Sequence, residues 1–194
     1  MSFTTPQFIL EDDLWWTTKA MLPSWKGFQS RQSPYGMEDI AVPSDGTVQI
    51  VFAPEGRGNQ PLTDSEIYAV NWVIGHEALI SKALISSLLQ EYPSLQKQYG
   101  YSGKKKTKLM PDISSADELR SLMGLSSVNV HQVQKDGIPY VGFEFGCTWD
   151  EEHGLGVLMH GTRTVKIGGA EIAVLFWIAE HDAQDRIKHT ESVQ

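Results

Sequence analysis

The stretch Lys135-Asp-Gly-Ile-Pro-Tyr-Val-Gly-Phe-Glu-Phe-Gly-Cys147 decides the fold. Its first three residues carry hairpin-turn chemistry, because Asp-Gly accepts the positive φ that a tight two-residue turn requires. From Ile138 to Cys147 the side chains then alternate. Val141, Phe143, Phe145 and Cys147 fall on one face and Tyr140 and Glu144 on the other, the period-two signature of a half-buried strand. The same reading extends both ways. Upstream, Ser126 opens a strand in which Val128 and Val130 share a face. Downstream, Leu155 to His160 and Thr162 to Ile167 form a second hairpin around Gly161, and Gly168-Gly169 reads as a turn. The result is an antiparallel meander. The apolar run Ile172 to Ile178 follows it, and periodicity leaves strand and helix open there. The last dozen residues are polar and expected to fray.

Toward the N-terminus the pattern changes period. Thr63-Asp-Ser-Glu66 is a capping box, and Ile67, Val70, Ile74, Ala78, Ile85 and Leu88 repeat at helical spacing up to about Tyr92. Pro93 is expected to end or kink that helix. A polar linker is expected over Gln96 to Pro111, with Lys104 to Lys108 inside it as a solvated run. Ser115-Ala-Asp-Glu118 is a second capping box, opening a short helix that Gly124 would terminate. Ahead of the long helix, two strands are expected at Asp13 to Met21 and Thr47 to Ala53. In the second, Val48, Ile50 and Phe52 share a face. Trp15 and Trp16 must point to opposite sides of the first. One of them therefore needs a cover, either the aromatic loop Trp25 to Tyr35 or a binding partner. The expected fold class is α+β, a mainly antiparallel sheet packed against one long helix and one or more short helices. It is read as a single domain over residues 1–194.

Composition narrows the function classes. The chain has 194 residues, 16 Lys and Arg against 24 Asp and Glu, and a formal charge of −8. An acidic chain is a poor non-specific nucleic-acid binder, since that binding depends on neutralising phosphates. No segment reaches the ~20 apolar residues of a membrane span. The N-terminus lacks the charged and apolar regions of a signal peptide, so a cytoplasmic location is expected. One cysteine, Cys147, excludes an intrachain disulfide and a multi-cysteine zinc site. Its phase with Phe143 and Phe145 places the thiol in the core, and the three carboxylates that follow oppose thiolate formation.

The densest polar constellation is Cys147-Thr-Trp-Asp-Glu-Glu-His-Gly-Leu-Gly-Val157. It joins two apolar strands, so its acids and imidazole are expected on a connection at the sheet end, where binding groups often sit. As a binding site it offers Trp149, Asp150, Glu151, Glu152 and His153, with Trp15 and Trp16 as aromatic anchors. As a metal site, for a metal-binding or metal-dependent hydrolase domain, it offers Asp150, Glu152, His153 and His160, provided that a bend at Gly154 or Gly156 brings His160 round. As a structural element, Trp149 packs and the carboxylates cap turn amides. No nucleophile–base pair is recognisable, which favours binding over catalysis. Gly75-His-Glu77 has Ile80 where a zinc-protease helix needs its second histidine, so His76 reads as structural. Gly56-Arg-Gly58 lacks the frame of a phosphate loop, and no cofactor is expected.

The segment Gly142 to Val157, with Arg163-Thr-Val165 and Ile167-Gly168 after it, resembles a bacterial family of uncharacterised function that shares the Cys-Thr-Trp-Asp-Glu-Glu-His-Gly-Leu-Gly-Val signature. Leu122 to Val128 and Gly137 to Gly142 fit the same setting, and the signature-bearing part spans about 115–178. The resemblance implies an α+β domain and supplies no reaction. Small acidic bacterial proteins of this kind are similar to immunity proteins that neutralise toxins. The expected partner is therefore a protein with a basic surface, a cognate toxin, rather than nucleic acid or membrane.

Overall fold

A computed structural model describes residues 6–30, 42–56 and 59–191. Tyr35 and the Arg57-Gly58 pair lie outside the described residues. The architecture is mixed α and β, built on a seven-stranded sheet whose spatial order follows the chain order, β1 to β7. These strands are β1 (Ile9–Glu11), β2 (Trp15–Met21), β3 (Thr47–Phe52), β4 (Met123–Lys135), β5 (Ile138–Cys147), β6 (Asp150–His160) and β7 (Arg163–Gly168). Every neighbouring pair is antiparallel except β3–β4. A parallel pair cannot be joined by a hairpin, and here the crossover carries four helices. They are α1 (Asp64–Gly75), α2 (Glu77–Tyr99), α3 (Gly103–Leu109) and α4 (Ala116–Leu119). A last helix, α5 (Phe176–Glu191), follows the sheet. No single helix among the described residues is long and apolar enough to cross a membrane.

The helical region departs from expectation in four places. The single long helix is two, α1 and α2, bent by 65° at His76. His76 leaves helical geometry at φ −108° and ψ 10°. Its Nδ1 lies 2.7 Å from the Trp72 carbonyl and its ring stacks on Trp72 at 4.1 Å. That carbonyl already accepts from the His76 amide at 3.0 Å, so the ring shares an acceptor that the backbone also uses. Pro93 does not stop α2, which ends instead at Gly100 in left-handed geometry with φ 62°; glycine takes that conformation without a Cβ penalty. The expected polar linker contains the end of α2 and all of α3, so Lys104 to Lys108 are helical. Lys105 sits 4.0 Å over the Tyr101 ring and Lys106 pairs with Asp112 at 2.6 Å. Gly124 terminates nothing: α4 ends at Leu119, and Gly124 lies in β4 opposite Gly146. Both capping boxes form, with Glu66 accepting from the Thr63 amide at 2.7 Å and Glu118 from the Ser115 amide at 2.9 Å.

The inward face of the sheet matches the alternation read from sequence. Val48, Ile50, Phe52, Val128, Val130, Val141, Phe143, Phe145, Cys147 and Val157 are buried against α1 and α2. Trp25 and Phe28 close that core, with Trp25 5.1 Å from Phe145 and 5.0 Å from Phe28. They are committed to the face away from Trp15 and do not cover it. A short β1 precedes β2, joined through Asp12 and Asp13 at positive φ, so Leu14 is an exposed turn residue rather than part of the strand. The run Ile172 to Ile178 is neither one strand nor one helix. A 3-10 turn at Ala170–Ala173 ends before α5 begins.

Candidate functional site

The sheet has a second face, and the described residues cover only half of it. Over β4 to β7 the 3-10 turn and α5 form a layer. There Tyr140 and Leu158 pack with Ile172, Ile178 and Ala179. Two glycines make this approach possible. A Cβ on Gly142 would lie 1.8 Å from the Ala173 carbonyl oxygen, and one on Gly156 would lie 2.4 Å from that of Gly169. Bare backbone on β5 and β6 is therefore the seat of the turn. His131, in the bulged part of β4, fastens it through Nε2 at 2.9 Å from the Ala173 oxygen. Burial pushes the imidazole below its usual value of 6.5, with the Ala173 bond working against that shift.

Beyond the turn no described residue covers the face. A groove of about 480 Å³ runs over β1 to β5, lined by Glu11, Trp15, Gln49, Ser127, Asn129 and Glu144 among others, with Val174 at its covered edge. A smaller cavity of about 60 Å³ adjoins it and reaches His131. Strand register explains the assembly: Gln49 stands beside Ser127, and Ser127 beside Glu144. Asn129 Nδ2 donates to Ser127 Oγ at 3.0 Å, and Ser127 Oγ donates to Glu144 Oε2 at 2.9 Å. Across the groove, Thr17 Oγ1 donates to Glu11 Oε1 at 2.8 Å and the Gln49 amide approaches the same carboxylate at 3.4 Å. Among the described residues none that lines the groove carries a positive charge.

The acidic signature behaves differently from expectation. It is no long connection: Cys147 is the register partner of Asp150, so only Thr148 and Trp149 make the turn and Asp150 to His153 begin β6. Trp149 is 2% exposed with its ring edge-on to Tyr92 at 5.7 Å, which corrects its reading as a contact residue. Asp150 is an anchor. Its Oδ2 accepts from the Tyr99 hydroxyl at 2.8 Å, and its Oδ1 accepts from the His153 amide at 2.9 Å with the His153 ring at 3.1 Å. Burial works against ionising this carboxyl. The bonds from the His153 amide, Tyr99 and the His153 ring outweigh it and hold the group below the ordinary carboxylate value. Burial, then the bond to Asp150, raises the Tyr99 phenol far above its usual range. Tyr101 donates to the Trp149 carbonyl at 2.8 Å, completing a clamp between the end of α2 and the turn. Glu151, Glu152 and His153 are exposed.

His160 is not brought to this group. It lies at the far end of the 11-residue β6, about 23 Å from His153 and about 33 Å from Asp150 at the usual strand rise. There it stacks on Tyr140 at 4.5 Å and meets the Lys135 carbonyl at 3.1 Å. Among the described residues no three His, Cys, Asp or Glu side chains converge as a metal site. Cys147 is buried, as its phase predicted. Trp15 and Trp16 face opposite ways. Trp16 is half-buried on the core side with its indole nitrogen enclosed, while Trp15 walls the groove.

The groove residues Glu11, Gln49, Ser127 and Asn129 escaped the sequence reading. Each is an ordinary polar residue at an outward strand position, and only pairing register shows that they converge. Comparisons with curated proteins and with solved structures give no match. Residues 25–175 match the family described as a domain of unknown function, DUF6985, and with most of its length inside that match the chain belongs to this family.

Proposed function

We propose that the chain is a non-enzymatic binding protein of the immunity type, a cytoplasmic bacterial inhibitor that holds a toxin through a basic surface on that toxin. The observation that carries this reading is the half of the second sheet face that no described residue covers. A sheet face is normally either buried by a packed layer or solvated. This one is a walled groove bearing an aromatic side chain and two carboxylates. Among the described residues the lining holds no cysteine or histidine, and the nearby His131 is committed to the Ala173 carbonyl. The formal charge of −8 would speed encounter with a basic partner and reject acidic ones. The exposed Glu151 and Glu152 at the β5–β6 turn would add a peripheral contact of the same sign.

The test is purification of the untagged chain from its own cells, together with co-expression beside any toxin encoded next to it. A stoichiometric basic partner and protection of the cells are expected. A monomer with no partner, in cells that the neighbouring toxin still kills, would sink the reading.

A further inference from the structure

We infer that the open half of the sheet is a receptor for an extended basic segment of the partner, with arginine side chains directed at Glu144 and at Glu11 beside Trp15. This rests on the protein-binding reading above and gives it a location and a chemistry. Glu144 is half-buried, and only its Oε2 is engaged, by Ser127. Asn129 fixes Ser127 in turn, so the carboxylate is held in place before any ligand arrives. Its other oxygen makes no hydrogen bond to a described residue. A carboxylate partly withdrawn from water with no cation among the described lining residues carries a desolvation cost, which a guanidinium would offset.

Arginine fits better than lysine because its planar fork pairs with carboxylates and also stacks on an indole such as Trp15. The groove volume of about 480 Å³ suits side-chain insertion, falling within the usual range of roughly 300–1,000 Å³ for binding pockets. A second copy of the chain is a poor occupant, since it would bring the same acidic face and a formal charge of −8. Lys19, in register with Gln49 on the same face, lies outside the lining and marks where the acidic field ends.

The probe is N-acetyl-arginine methylamide, titrated into isotope-labelled protein and followed by NMR. The lysine and citrulline analogues serve as controls. Perturbations should centre on the Trp15 indole and on Gln49, Ser127 and Asn129. The arginine compound should bind more tightly than the lysine one, and citrulline, which is uncharged, should fail. Glu144→Gln keeps an acceptor for Ser127 and should weaken binding about tenfold, the loss expected for a charge-assisted bond. Trp15→Ala should weaken it several-fold, with unchanged melting curves showing that both variants fold. Equal citrulline binding, no effect of Glu144→Gln, or perturbations centred on Asp150 to Glu152 would overturn the proposal. The two readings fail separately. A cognate partner that binds both variants at wild-type affinity removes the groove and leaves the binding protein. An arginine-selective groove in a chain with no protein partner removes the protein occupant.

Discussion

Replacing Gly142 by alanine tests whether the layer of α5 truly rests on bare backbone. The added Cβ would stand 1.8 Å from the Ala173 oxygen and 2.5 Å from its carbonyl carbon, where carbon contacts settle near 3.5–4.0 Å. Both partners are backbone, so no rotamer change relieves the clash. The 3-10 turn must lift by roughly 1.5 Å or more to restore ordinary contact. That displacement breaks the His131–Ala173 bond, now 2.9 Å, at about 1–3 kcal/mol for a buried group left without its partner. It also opens the packing of Ile172 and Ile178, which are 5% and 7% exposed, and full exposure of either would cost about 1.5–3 kcal/mol. A loss of about 3 kcal/mol follows, at the top of the usual range for overpacking. For a chain of this size that lowers Tm by roughly 6–12 °C.

Calorimetry measures the loss, and hydrogen exchange locates it. The amides of α5 should lose protection before those of β4 to β6, since the main core lies on the other face. Gly75→Ala is the matched control, because a Cβ there meets nothing within 4 Å, and it should be neutral or stabilising by up to about 1 kcal/mol. A Gly142→Ala protein melting within about 2 °C of wild type would refute the reasoning.

The remaining predictions concern single groups. His131 has a folded pKa below its unfolded 6.5. The stability it contributes is therefore complete above that value and lost as pH falls through 6.5 toward the lowered folded value, by at most about 1.4 kcal/mol per pH unit. His131→Gln should flatten that part of a stability–pH profile, and an unchanged slope would refute the assignment. Asp150→Ala strips the Tyr99 hydroxyl and the His153 amide of their acceptor and should cost about 1–3 kcal/mol in a urea melt. The lowered carboxyl pKa makes this contribution present above 3.8 and lost as pH falls below it. Glu151→Ala and Glu152→Ala should each stay within about 0.5 kcal/mol, and equal losses at all three positions would contradict the anchor. The buried Cys147 should react with a thiol reagent only at the rate of unfolding, and rapid labelling of native protein would place it at the surface.

How much of this was legible depended on whether the signal was local. The alternation of Val141, Phe143, Phe145 and Cys147 is a property of one strand, and it placed the core face correctly. The capping boxes at Thr63 and Ser115 are complete within four residues, and both form. The bend at His76 was hidden because an apolar stripe continues through it, and the break is a backbone departure at one residue, φ −108° and ψ 10°. The run Ile172 to Ile178 resisted assignment because its partner surface is the two glycines of β5 and β6, which contribute no side chain to any pattern. Asp150 reads from sequence as a contact residue or as a cap for turn amides; its bond from the His153 amide is local, whereas the Tyr99 hydroxyl comes from far away in sequence. Without that contact an anchor and a binding group look alike.

The boundary between the covered and open halves of the sheet is written along β5 itself. Its outward positions are Tyr140, Gly142, Glu144 and Gly146. The first packs under α5 with its hydroxyl donating to Asp182 at 2.7 Å, and the second admits the 3-10 turn. The third reverses the logic by placing a carboxylate where continued cover would need an apolar or glycine surface. On β4 the neighbours of Gly142 and Glu144 are Asn129 and Ser127, and on β3 the row continues to Val51 and Gln49. A layer extended over these residues would bury Glu144 without a counterion, at a cost of several kcal/mol. The cover therefore stops where Val174 meets the groove. The same positions that would be errors in a core are suited to a charged partner, and that coincidence makes the open face the first surface to mutate.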